Sequence, residues 1–204
     1  MTDTDARLHA LVDRLDPGPG AAGHVAHSRG LLARGMHWYL DMRDEYATGG
    51  GQDDERPLTG YALLSTGYLV AAGTAAALVA RRKQGGAALP TPGELALLSV
   101  AVFRVTRTVS KDAVLSHLRA PFTVFEGPSA PGEVHESPRS GPVRHAVGEL
   151  VTCPFCLGQW VGTAALVSFA AAPRATRWAA TLMTVVAASD ALQYAFAALE
   201  KTEG

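Results

Sequence analysis

The chain has 204 residues, a formal net charge of −1, 48% apolar residues and 18% charged ones. Disorder throughout is excluded, since it requires low hydrophobicity and high net charge. No basic excess exists to neutralise phosphates, which argues against a nucleic-acid binder, and two cysteines are too few for a disulfide-stapled secreted module.

Charge and hydropathy divide the chain in two. Residues 1–57 hold six Arg and ten Asp or Glu, whereas residues 58–204 hold twelve Lys or Arg and nine Asp or Glu. A mean hydropathy of +0.09 therefore averages a polar, acidic N-terminal region with a very apolar remainder. In the N-terminal region, Leu8, Leu11, Val12 and Leu15 form one helical stripe. It is stopped by Asp16-Pro17-Gly18. A second helix is expected from Ser28 to Tyr46, followed by a flexible linker over Thr48 to Pro57. His24, His27 and His37 fall here; a metal site is one reading, and partly packed histidines are the ordinary one. The acidic start, Met1-Thr-Asp-Thr-Asp5, has no basic stretch leading into an apolar core. The first apolar span is therefore expected to act as an uncleaved insertion signal.

That span is Leu58 to Ala80, with no charged residue, closed by Arg81-Arg82-Lys83. About 20 apolar residues cross a hydrocarbon core of about 30 Å. Val151 to Ala172 and Trp178 to Leu199 are two further runs, the latter interrupted by Asp190 and Gln193. Gly93 to Val109 is the weakest, because Arg104 and Arg107 occupy its second half. The segment from Phe122 to Pro142, rich in Pro, Gly, Ser and Glu, is expected to be irregular, and no strand is expected anywhere. Arg81, Arg82 and Lys83, with Arg174 and Arg177, favour the cytoplasmic side for their ends of the spans. Counting residues 93–109 as a crossing then yields four spans, with both termini and the loop 110–150 outside; a re-entrant segment changes that count.

Two groups of residues look chemical. Arg104, Arg107 and Lys111 share one helical face, with Asp112 just beyond and Asp190 as the acidic residue of the last span. An intramembrane Arg costs about 2.5–3.5 kcal/mol on insertion scales, so it demands a partner or water. An Arg104–Asp190 pair is one expectation; snorkelling to an interface is the other. The second group is Cys153-Pro154-Phe155-Cys156. Pro favours the first helical position, which makes Cys153 a candidate N-cap with Cys156 one turn on. Three readings stay open: a redox pair, a plain helix-entry motif or structural disulfide, and a zinc site. The zinc ligands would be His145, Glu149, Cys153 and Cys156, provided that Pro142 and the Cys-Pro step do not interrupt their helix.

The ordered motifs Phe103-Arg-Val-Thr-Arg107, Asp112, Leu118-Arg-Ala-Pro-Phe122, Gly148-Glu-Leu150 and Cys153-Pro-Phe-Cys-Leu-Gly-Gln-Trp160 resemble an uncharacterised bacterial integral-membrane family, domain of unknown function thirteen-sixty. The resemblance covers roughly residues 94–200. It implies an integral membrane protein and no particular reaction.

The expected architecture is an all-α, polytopic helical membrane protein with three to four transmembrane helices behind a small soluble helical region over residues 1–57. The bacterial inner membrane is its expected place and the lipid bilayer its first partner. A protein partner would dock on the N-terminal region or on the segment 122–147, and nucleic acid is not expected. Three functions follow: a structural or partner-binding membrane module; a thiol-redox or metal-binding protein using Cys153 and Cys156; and a small transporter subunit with Arg104, Arg107 and Asp190 along a polar path.

Overall fold

Thr91 accepts the backbone N–H of Glu94, and the Glu94 carboxylate accepts the Thr91 N–H in return. With Pro92 at the first position, this reciprocal cap starts the helix around which the apolar part of the protein is organised. In the computed structural model, residues 3–16, 24–48, 56–82 and 89–203 are described. Most of the expected linker, including residues 49–55, and Lys83 lie outside them, as do the side chains of His24 and His27.

The elements in chain order are α1 (Asp3–Asp13), α2 (His24–Thr48), α3 (Leu58–Arg82), α4 (Pro92–Lys111), a 3-10 turn (Ala113–Leu115), α5 (Ser116–Arg119), β1 (Thr123–Ala130), β2 (Glu133–Pro138), α6 (Pro142–Thr152), α7 (Pro154–Ala171) and α8 (Pro173–Glu203). The chain forms two units, divided between Thr59 and Gly60. In the first, α1 and α2 bury Val12, Ala33 and Leu40 against Leu8. Leu11 and Leu15, expected on the same stripe, are exposed instead, because α2 covers only the Leu8 and Val12 side of α1. His9 lies 3.1 Å from Asp44, and His37 lies 3.2 Å from Asp13.

In the second unit, three helices among the described residues are long and apolar enough to cross a membrane: α3, α7 and α8. Little of these helices is buried within the chain. Leu69, Val70, Leu182, Val185, Leu192 and Phe196 are among the apolar side chains left exposed. In water such a surface is unfavourable by about 25 cal/mol for every Å², so its natural solvent is hydrocarbon. The helical, membrane-type architecture therefore follows from the sequence as expected.

α4 packs between α7 and α8 around Leu98, Ala101, Phe169 and Ala180. It runs parallel to α8. Glu94 bonds Arg177 (Nε to Oε1, 2.6 Å), Thr184 Oγ1 donates to the Leu97 carbonyl at 3.3 Å, and Arg104 faces Asp190. α3 follows the path of the chain from α6 into α7, since Tyr61 bonds Glu149 of α6 and, two turns on, Tyr68 bonds Thr163 of α7 at 2.6 Å. The C-terminal ends of α3 and α7 therefore point the same way. The Arg174–Arg177 turn lies at that end, while the β1–β2 hairpin and Cys153 lie at the other.

The hairpin corrects the expectation of an irregular segment without strands. β1 and β2 pair antiparallel, from Thr123 opposite Pro138 to Ala130 opposite Glu133. The register shifts twice, at Glu126 and at Ser129, which is why no clean alternation marks these strands. Pro131-Gly132 makes the turn, with Gly132 at φ 76°. Gly148 of α6 lies against the hairpin base: a Cβ there would come within 2.6 Å of the Phe122 carbonyl oxygen and 3.0 Å of Pro138. The Gly148→Val variant is expected to lose about 1–3 kcal/mol of stability through this overpacking. A lower Tm in detergent checks it, and an unchanged Tm contradicts the close approach.

Candidate functional site

The functional residues gather at the hairpin end of the bundle, and Arg119 holds them there. Arg119 is 2% exposed, and Glu136 on β2 is 8% exposed. Arg119 Nε donates to Glu136 Oε2 at 2.6 Å, and Nη2 donates to Oε1 at 3.3 Å. Its remaining donors reach the carbonyls of Val109 (2.7 Å) and Asp112 (3.1 Å). Thr123 Oγ1 also sits on Glu136 Oε2 at 3.3 Å. One side chain thus ties the last turn of α4, the loop after it and β2 together. The charges are paired and their hydrogen bonds satisfied, which is the condition for burying them.

This clasp positions the polar cluster. Arg107 makes a two-pronged bond to Glu133 at the start of β2, with both N–H to oxygen distances 2.9 Å. Planar guanidinium and carboxylate match in this arrangement, which is the stronger form of the pair. One turn earlier, Arg104 lies between two carboxylates. Its Nη2 donates to Asp112 Oδ2 at 3.4 Å, and its Nε is 3.1 Å from Asp190 Oδ2. The Nε hydrogen is not aligned on that oxygen, so the buried Nε makes an ion pair with Asp190 and no hydrogen bond. Arg104, Arg107, Asp112 and Asp190 all line one cavity of about 600 Å³, to which Glu133 and Tyr194 also contribute. Its walls are α4, α8 and the tip of the hairpin. Lys111, on the same face of α4, is not among its lining residues.

The cysteine motif forms a second site. Pro154 has no N–H to continue α6, so the helix breaks at Cys153 (φ −104°, ψ 107°) and restarts as α7. Cys153 closes one helix and caps the next, its Sγ accepting the Cys156 N–H at 3.2 Å. The two sulfurs are 2.6 Å apart, and both cysteines are free. His145 and Glu149 do stack at i and i+4, with Nε2 3.5 Å from Oε1. Cys153 ends that helix, Cys156 falls in the next one, and Tyr61 bonds the Glu149 carboxylate. Among the described residues, no group of three or more His, Cys, Asp or Glu is placed to hold a metal ion.

Several participants carry no local signal in the sequence. Glu133 and Glu136 lie in a segment whose Pro, Gly and Ser content hides its strands. Arg119 has its partner 17 residues away across a hairpin, beyond the reach of any local pattern. The Thr91-x-x-Glu94 spacing is a legible signal of the α4 cap. Tyr61 and Tyr68 sit two turns apart and face α6 and α7, which a uniformly apolar span does not reveal.

Residues 97–196 match the family described as Protein of unknown function (DUF1360). The chain is also similar to the Sporulation protein YjcA of Bacillus subtilis (strain 168), with 32% identity over 94 residues, 45% of this chain and 80% of that protein. No solved structure matches. The family match encloses the Arg119 clasp, the charged residues of the ionic cavity and the dithiol, while α3 lies before it.

Removing one partner of the buried clasp is expected to cost about 3–5 kcal/mol, so Arg119→Met and Glu136→Leu each lower the Tm sharply. The apolar pair Arg119→Met with Glu136→Leu recovers part of that loss. A double variant as unstable as the sum of the singles contradicts a coupled pair.

Proposed function

The chain belongs to the DUF1360 family of proteins of unknown function, and on that premise we propose that it is a bacterial inner-membrane module that binds a partner through the ionic cavity at the hairpin end of its bundle. One observation supports this above the rest. Five charged side chains, from α4, the residue that caps it, β2 and α8, line a single cavity of about 600 Å³ beside apolar helices, and a buried guanidinium N–H there is left without a hydrogen bond. Structure alone needs no cavity at such a place; a packed ion pair would serve. A cavity of this size suits a small group or a side chain carrying polar atoms.

The bilayer placement follows from the exposed apolar faces of α3, α7 and α8. We read α4 as a fourth crossing, because it runs parallel to α8 between its neighbours. Its arginines are tolerated there because Asp112, Glu133 and Asp190 neutralise them. The Arg174–Arg177 turn and the end of α3 at Arg81 face the cytoplasm in this reading, by the preference of short basic segments for that side. The hairpin and the cavity mouth then face outward.

Two experiments test the proposal. In a cysteine-free background, Ser129→Cys at the hairpin should react with an impermeant maleimide in intact cells, and Arg174→Cys only after lysis; the reverse pattern overturns the orientation. A photo-crosslinking residue in place of Val114, at the cavity wall, should yield a discrete adduct in the native host that disappears with Arg104→Gln. An adduct that persists in that variant, or none at all, contradicts binding through the cavity.

A further inference from the structure

We infer that the Cys153–Cys156 pair is a redox-active dithiol that exchanges electrons with a membrane-soluble quinone held in the cavity between α3, α6 and α7. Both cysteines are free and their sulfurs lie 2.6 Å apart, which places the two reacting atoms side by side. Cys153 is fixed by its capping role, and Cys156 is the exposed member of the pair.

Cys156 also lines a cavity of about 420 Å³, a different one from the ionic cavity. Tyr61, Tyr68, Glu149, Gln159 and Trp160 share its wall, with leucines of α3 and α6 completing it. Tyr68 and Trp160 meet edge to face at 5.2 Å and present flat aromatic surface. Gln159 Nε2 donates to the Tyr68 hydroxyl at 2.7 Å, so hydrogen-bonding groups stand beside those rings. Leu63, Leu69 and Val70 on α3 are exposed toward the surroundings read above as lipid. A planar ring with two carbonyl oxygens and an apolar tail suits this lining: rings for its faces, the Gln159 amide N–H that Tyr68 does not take for one of its oxygens, and access from hydrocarbon for its tail.

The exchange balances with a quinone as oxidant. The two S–H bonds break and one S–S bond forms. Two electrons and two protons pass to the quinone oxygens, giving a hydroquinone. Glu149, on the same cavity wall and hydrogen-bonded by Tyr61, is a carboxylate able to relay a thiol proton. The inference shares the membrane placement with the proposal above but does not depend on the ionic cavity.

The test uses the full-length chain, reduced and purified in detergent, with decylubiquinone, whose fully substituted ring does not alkylate thiols. Each chain should lose two maleimide-reactive thiols as one quinone loses its ultraviolet absorbance. Cys153→Ser should abolish the reaction while keeping α7, because Ser caps a helix well. Ser65→Trp, which fills the cavity from an exposed position on α3, should slow oxidation by the quinone about tenfold or more, leaving oxidation by diamide unchanged. If diamide closes the pair and the quinone does not, or if Ser65→Trp reacts at the parent rate, the quinone site is overturned. If diamide leaves both thiols free, the redox pair itself is overturned. Loss of the Val114 adduct bears on neither outcome, so the two proposals fail separately.

Discussion

A buried guanidinium organises the hairpin end of the molecule. Arg119 has five N–H donors in a rigid fork, and nearly all of them point at fixed acceptors. Two of those acceptors are backbone carbonyls at the end of α4, where the helix leaves its last carbonyls without partners. Two more belong to Glu136, in the middle of β2, and one is the Ser116 hydroxyl. The side chain therefore does two things at once: it satisfies a helix terminus and anchors a sheet that is too small to be stable alone. Where β2 sits determines where Glu133 sits, and Glu133 in turn holds Arg107. The cavity wall depends on this chain of contacts.

The second constraint is solvent. Ion pairs near apolar helices are costly to desolvate, and an unpaired charge there costs more still. The structure answers with more acid than base around the two arginines of α4: Asp112, Glu133 and Asp190 face Arg104 and Arg107. The Arg104–Asp190 pair expected from sequence is present, but Asp112 shares the same guanidinium. Exchanging the charges of Arg104 and Asp190 would place two carboxylates side by side, so the pair cannot be treated as an isolated unit. At the opposite end a simpler contact does comparable work. Arg177 bonds Glu94 and lies over the Phe169 ring at 5.2 Å, tying the starts of α4 and α8 to the end of α7.

The dithiol owes its geometry to one proline. Without Pro154, α6 and α7 could run on as one helix, and the cysteines would lie on its surface one turn apart. The missing N–H breaks the helix, and the break turns Cys153 inward as a cap. The same break ends the continuous helix that the zinc reading assumed, since Cys156 falls in α7 rather than α6.

Read alone, the amino-acid order determined whatever depends on neighbours along the chain. The apolar runs, the polar N-terminal region, the shared face of Arg104 and Arg107, and the cap at Cys153 are all local, set by helical period and by the chemistry of proline. Only the tertiary structure decided what depends on distant partners. Pro128 and the register shifts erased the alternation by which β1 would have been recognised, so the hairpin was invisible until Arg119 met Glu136. The same holds for both cavities. Each is walled by elements far apart in sequence, and the position of a wall is set by packing, which no local pattern encodes.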